Sequence, residues 1–249
     1  MARIVEVVPY DASWPRIFET EAKLLQDALG SNCVAIHHIG STSVSGIHAK
    51  PIIDIIPVVK TLSDINDNSL IALGYTPRGE MGMPFRKFYN KGEPQRTQHL
   101  HIWEAGNPEI EKHLLFRDYL RTHPNYAKKY SDLKLKLAEQ FKLERKNYTE
   151  SKDSLIKEII GKSGFSGLTV VQVNLPNEWE SYKKIQQDNN PVISDNDIYF
   201  VLMQGVDIKG AAHIQKEPIA KILSLKCETT EQENYMNNLL ERWIKQALH

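Results

Sequence analysis

Apolar residues recur along this chain at two periods, and the switches between them mark out its elements. From Trp14 to Leu29 the positions Ile17, Phe18, Leu24, Leu25 and Leu29 fall at helical spacing, and Gly30 closes the run. Cys33 to Ile39 is β-branched and apolar enough for a strand. Ile52-Ile53-Asp54-Ile55-Ile56 reads as a second, buried strand carrying a single acid. Thr61 to Leu73, with cap-like Thr61 and Ser63, predicts a short helix. Residues 75–80 and 85–90 predict paired strands joined by Met81-Gly82-Met83-Pro84, and Gln98 to Trp103 a third. Asn107 to Leu120 and Asn125 to Phe141 predict helices split by His123-Pro124, and Thr149 to Ile160 a shorter one. A mixed sheet with helices packed against it, then a helical tail, is an α+β arrangement.

The texture changes at Gly161-Lys162-Ser163-Gly164-Phe165-Ser166-Gly167, where three glycines and two serines in seven residues read as a flexible linker. The chain is thus expected to hold a domain over 1–162, a Gly/Ser linker at 163–167 and a second domain over 168–249. Strands at 168–173, 198–203, 208–215 and 219–226, with helices at 177–188 and 230–247, predict a small α/β domain there.

Composition narrows the classes. The 249 residues are 41% hydrophobic and 25% charged, the balance of a soluble globular protein. No apolar run approaches the roughly 20 residues needed to cross a bilayer, so no membrane partner is expected. Met1-Ala2-Arg3-Ile4-Val5-Glu6 lacks a signal-peptide core. Cys33 and Cys227 are too few for a disulfide framework or a zinc cluster, which makes a cytoplasmic location the expectation. Net charge is zero, with 23 basic and 20 acidic residues through Lys162 and 8 and 11 beyond it. That argues against a dedicated nucleic-acid surface.

Candidate chemistry gathers around His38-Ile39-Gly40-Ser41-Thr42-Ser43. Gly40 permits a sharp turn and close backbone approach, and the following Ser/Thr run suits the cap of a short helix whose free N–H groups attract phosphate. Asp54, costly in an apolar strand unless it pairs or binds a metal, supplies a carboxylate on the neighbouring strand. A phosphate cradle beside a carboxylate suits a nucleotide held with Mg²⁺. The competing reading pairs Asp54 with Lys50 or Arg86. His99 and His101 alternate on one strand face, either as metal ligands favouring Mn²⁺ or Zn²⁺, as donors to phosphate, or as a polar sheet face. Arg86 and Arg96 suit bidentate phosphate contact, and Lys152 opens a helix; ordinary surface charge is the alternative. Of His37 and His38, at most one can reach the loop. Lys134, Lys136, Lys142, Arg145 and Lys146 read as solvated helix faces, and His213 and His249 as surface residues.

Several of these blocks carry a resemblance. Gly40-Ser41-Thr42 with Ala49-Lys50-Pro51-Ile52-Ile53-Asp54-Ile55, Val7-Val8-Pro9-Tyr10-Asp11, Leu73-Gly74-Tyr75, Arg78-Gly79-Glu80, His99-Leu100-His101, His113 through Arg121 and Tyr148-Thr149 with Lys152 resemble, in order and spacing, the GrpB family of the nucleotidyltransferase superfamily. The resemblance covers about residues 5–160. It implies a nucleotidyltransferase-like fold with Gly40, Ser41, Thr42, Lys50, Arg86, Arg96 and Lys152 toward a nucleoside triphosphate. It also implies Asp54, with His99 and His101, toward a divalent metal and catalysis. A superfamily site usually carries a second acid two positions on, and here that position is Ile56. The C-terminal element order resembles the central part of a GNAT acetyltransferase. Its cofactor turn there is Cys227-Glu228-Thr229-Thr230-Glu231-Gln232-Glu233, with three acids and no glycine, which implies a degenerate accessory domain.

Taken together, these readings favour a metal-dependent nucleotidyltransferase that moves a nucleotidyl group to an unknown acceptor. Two rivals stand beside it. One is a catalytically inactive nucleotide-binding or accessory protein linked to coenzyme A metabolism. The other is an acetyltransferase acting through the C-terminal domain.

Overall fold

The structure is a computed structural model that describes residues 4–188 and 190–247. His249 therefore lies outside the described residues. The chain divides into two compact units, one running to Met81 and resuming over Arg86–Phe165, the other comprising Gly82–Phe85 and the chain from Ser166.

The first unit opens with α1 (Trp14–Leu29), which has a proline in its first turn and ends at Gly30 with φ +55°. Strand β1 (Cys33–Ile39) runs into a single 3₁₀ turn at Ser41–Ser43, and β2 (Ile53–Val59) returns antiparallel to β1. The short helix expected after Gly40 is thus one turn only, because Val44 is already extended. Too few peptide dipoles align there to make a helix N-terminus of consequence. The helix expected over 61–73 also breaks. A 3₁₀ turn at Leu62–Asp64 precedes α2 (Asp67–Ala72), whose start is fixed by Asn66 accepting from Asn68 N.

Strands β3 (Tyr75–Pro77), β4 (Lys87–Lys91) and β5 (Gln98–Glu104) complete a five-stranded sheet of order β1-β2-β5-β4-β3. Only the β2–β5 pair is parallel. Helices α3 (Pro108–Thr122), α4 (Pro124–Gln140), α5 (Arg145–Glu150) and α6 (Asp153–Lys162) follow, the last two replacing the single helix expected over 149–160.

Strand alternation sorts the sheet into two faces. Ile53, Ile55, Leu100, Ile102 and Tyr89 join Leu25 and Leu29 of α1 and Leu70 of α2 in one core. The opposite face carries Asp54, His99 and His101. A second core, with Leu120, Ala127, Tyr130, Leu155 and Ile159, seats Val44 and Ile47 of the loop after β1 on the later helices.

The second unit is an antiparallel sheet of order β6-β7-β8-β9, formed by β6 (Leu168–Gln172), β7 (Asp197–Gln204), β8 (Asp207–Gln215) and β9 (Lys221–Cys227). Helices α7 (Pro176–Gln186) and α8 (Thr230–Ala247) accompany it. His213, expected on the surface without partners, is instead half-buried, stacked on Tyr199 and 2.6 Å from Asp197 Oδ1. Among the described residues no helix is long and apolar enough to cross a membrane.

Candidate functional site

Register brings the site together. Ile39 faces Asp54 across β1–β2, and Asp54 faces His99 across the parallel pair, so the end of β1 and both histidines meet one carboxylate. Gly40 has φ +69°, and a Cβ there would lie 2.5 Å from Asp54 Oδ2. A side chain at position 40 would therefore suffer both backbone strain and a clash.

Asp54 Oδ1 lies 3.0 Å from His99 Nδ1 and 3.8 Å from His101 Nε2. Burial would raise the Asp54 pKa, but the two imidazoles that face it, His101 and His99, outweigh it and hold the carboxyl far below the usual range. Burial pushes His101 down to about 4 despite Asp54, so its ring is neutral at pH 7. Arg86 Nη1 lies 3.3 Å from His101 Nδ1. Since a guanidinium can only donate, Nδ1 accepts and Nε2 carries the proton toward Asp54.

Asp54, His99 and His101 each offer a ligand atom within 4.8 Å of one another. Asp54 and the His99 nitrogen facing it could hold an ion whose remaining positions phosphate oxygens would fill. A ligating histidine normally donates its other N–H; Arg86 occupies that side of His101 as a donor, and His99 Nε2 is buried with no acceptor among the described residues, so Asp54 is the best-suited ligand of the three. Ile56, at the place of a second acid, is fully buried.

Opposite this cluster stands a group of lysines. Lys134 is 2% exposed and its Nζ donates to Ser41 Oγ at 2.7 Å and to the His48 carbonyl. Lys152 Nζ lies 4.4 Å and Lys50 Nζ 5.0 Å from the centre of the Tyr148 ring. Burial, then Lys152 and Lys50, push Lys134 down to about 7. Burial and Lys50 do the same to Lys152, against the pull of Asp54. Lys50 is lowered by burial and by Arg145. Lys134 at Ser41 and the Lys50–Lys152 pair at Tyr148 thus lower one another's pKa, and Asp54 supplies an opposing carboxylate to Lys50 and Lys152.

Other expected ligands are spent elsewhere. The Thr42 hydroxyl donates to Ile52 O, accepts from His38 Nε2, and is 1% exposed, so it cannot also face phosphate. Arg86 is buried and donates to the carbonyls of Glu80 and Met81 as well as to His101, which makes it a brace behind the histidine rather than a phosphate ligand. Arg96 donates to Glu93 at 3.1 Å in the turn after β4, where Glu93 also binds Arg78. Lys134, expected on a solvated face, is the reverse. It lies with Ala127, Tyr130, Ser131 and Leu137 on the buried stripe of α4, and that helical spacing was the signal that could have found it. A cavity of about 870 Å³ adjoins the loop, lined by Phe18, His38, Ser43, His48 and Arg121 among others.

The class these features define is a mixed-sheet domain with a carboxylate–histidine cluster set against lysines at a Gly-Ser turn. Residues 4–162 match the GrpB protein family, and the chain belongs to it. The UPF0157 protein YqkA of Bacillus subtilis is 46% identical over 157 residues, which are 62% of this chain and 46% of that protein's length. The glutamate-rich protein GrpB of Alkalihalophilus pseudofirmus is 33% identical over 165 residues, covering 64% of this chain and 95% of that one. The crystal structure of the conserved protein GrpB from Enterococcus faecalis aligns at TM-score 0.61 with 38% identity, over 64% of this chain and 96% of that chain.

Proposed function

We propose that the first unit binds a nucleoside triphosphate with a divalent ion and transfers its nucleotidyl group to an acceptor. The observation that carries this is the set of three mutually coupled lysines, Lys134 on Ser41 with Lys50 and Lys152 in the field of Asp54, beside the Asp54–His99 pair. The half-buried Lys50 and Lys152, beside buried Lys134, suit a ligand with several negative charges, as a triphosphate has. Gly40 lets the backbone come close, Ser41 presents its hydroxyl, and Lys50 and Lys152 hold the phosphate tail. Asp54 and His99 would hold the ion, which when bound supplies charge stabilisation at the reacting phosphoryl group. With Ile56 in place of a second acid, one ion rather than two is the expectation. Nitrogen ligation by His99 shifts the preference from Mg²⁺ toward Mn²⁺ or Zn²⁺.

The second unit fits an accessory role in this proposal, as a degenerate GNAT-like domain. At the start of α8, Thr229 N donates to Gln232 Oε1 while Gln232 N donates to Thr229 Oγ1. This reciprocal cap occupies N–H groups that a pyrophosphate would need.

A thermal-shift screen of the four common triphosphates with Mg²⁺, Mn²⁺ or Zn²⁺ tests the first-unit reading. A ligand at 100-fold its Kd stabilises by about 2.7 kcal/mol, an upward shift of roughly 5–10 °C for a domain of this size. No shift with any triphosphate at millimolar concentration would end the proposal.

A further inference from the structure

Lys134 is arranged unlike the other two lysines. Its ammonium nitrogen does not sit over the Tyr148 ring but reaches Ser41 Oγ at 2.7 Å, from a helix position 93 residues away. Lys134 also packs over the Tyr130 ring, its nitrogen 4.4 Å from the ring centre. Among the described residues no carboxylate pairs with Lys134, although it is almost wholly buried. An isolated buried ammonium is costly, and the cost is relieved when the amine gives up its proton. A neutral amine keeps one N–H on the His48 carbonyl and has a lone pair for the Ser41 proton. Ser41 itself follows the end of β1, directly after Gly40 at φ +69°, and is half-buried.

Direct transfer from a triphosphate to an acceptor needs a base beside the acceptor oxygen. Asp54 is committed to His99 and His101, and Ile56 offers nothing. Lys134 is wired to a hydroxyl of the protein instead. From this juxtaposition we propose that Ser41 is a nucleophile activated by Lys134, and that transfer passes through a nucleotidyl ester on Ser41. The inference rests on the triphosphate reading above.

Ser41 Oγ attacks the α-phosphorus while its proton moves to Lys134 Nζ. The bond from that phosphorus to the bridging oxygen breaks, and diphosphate leaves with the electron pair, its charge met by Lys50 and Lys152. The departing diphosphate takes the proton from Lys134, and an acceptor hydroxyl then attacks the same phosphorus, its proton passing through the Lys134 amine to Ser41 Oγ as that oxygen leaves.

The test incubates the full chain with a triphosphate labelled at the α-phosphate and with Mn²⁺, without acceptor, followed by acid quench, intact mass and peptide mapping. Binding of an α,β-non-hydrolysable analogue is measured in parallel. The expected result is one nucleoside monophosphate per chain on the peptide holding Ser41, absent in Ser41→Ala. Lys134→Arg keeps a cation at the site but cannot act as a base at pH 7, so label should form at least about 100-fold more slowly there while analogue binding persists. Analogue binding with no label on Ser41, label that survives Ser41→Ala, or a phosphoryl adduct in place of a nucleotidyl one would each overturn the proposal. Absence of analogue binding would instead remove the triphosphate reading, and this inference with it.

Discussion

Raising the pH from 7 to 8 should stabilise the ligand-free protein, a consequence of the buried lysines. In the unfolded chain a lysine titrates near 10.4, so both Lys134 and Lys152 stay protonated across this interval. In the folded state each is pushed down to about 7, principally by burial. The unfolded state therefore binds more protons, and stability rises with pH. For one group with folded pKa 7 the gain between pH 7 and 8 is about 1 kcal/mol, and two independent groups would give about 2. They are not independent, because Lys152 is among the causes of the Lys134 shift, so the expected gain lies nearer the lower figure. For a urea m-value near 2 kcal/mol/M this moves the unfolding midpoint up by about 0.5 M. The interval must stop near pH 8, because burial raises Cys33 and takes Cys227 to about 11. Those thiols favour the folded state less as pH climbs through the unfolded cysteine pKa of about 8.5. Urea titrations at pH 7.0, 7.5 and 8.0 of wild type and Lys134→Met are the assay, with a flatter dependence expected in the variant. A wild-type midpoint that is flat or falls over that interval would refute the claim that these lysines are buried cations held near neutrality.

The same reasoning predicts that triphosphate binding takes up protons at pH 8, seen as a heat that varies with the buffer's ionisation enthalpy, and that affinity weakens as pH rises above 7; buffer-independent heats would count against the lysine site. Gly40→Ala should lose about 1–3 kcal/mol of stability from backbone strain alone, and should displace Asp54 enough to abolish nucleotide-dependent thermal shifts. A Gly40→Ala protein with wild-type midpoint and ligand response would show that the close approach is not needed. Ser41→Glu, which places an anion beside Lys134, should fold and yet bind no triphosphate, and unchanged affinity would remove this turn from the site. Acetyl-coenzyme A should give no calorimetric signal with the intact protein, and micromolar binding would mean that the cap at Thr229 and Gln232 opens for a cofactor.

Much of the first unit could be read from local patterns. The periodicities of α1, β1, β2 and β5 are strong, and Gly40-Ser41 could be placed beside Asp54 because register across one hairpin-like pair is short-range information. Other assignments failed where a side chain's fate depends on distant backbone. Arg86 looked like a phosphate ligand, yet it follows Phe85 at φ +61° and turns inward to the carbonyls of Glu80 and Met81. Thr42 looked like part of the cradle, but its hydroxyl closes a bond to Ile52 O ten residues on. Arg96 was claimed by Glu93 three residues before it. Lys134 was hidden by charge itself, since a lysine on a helix is normally solvated and only the apolar company at positions 127, 130 and 137 marked it as buried. The 3₁₀ turn at Ser41–Ser43 stayed short because the loop after it is pulled straight into the second core through Val44 and Ile47.

The pairing that sets His99 opposite Asp54 is parallel, and a parallel neighbour carries no turn of its own to fix its alignment. The phase of β5 is set from the other side, by the hairpin with β4, where Lys91 faces Gln98 and Thr97 N donates to Lys91 O. Within that turn Gly92 leaves no room for a Cβ, which would meet Gln95 O at 2.6 Å and Thr97 Oγ1 at 2.7 Å. Adding or deleting one residue between Gly92 and Thr97 would exchange the two sides of β5, sending His99 and His101 into the core and Leu100 and Ile102 to the carboxylate. The identity of the chemical groups around Asp54 is thus encoded in the length of a loop that touches none of them. Insertions and deletions there should be far less tolerated than its exposed, charged sequence suggests.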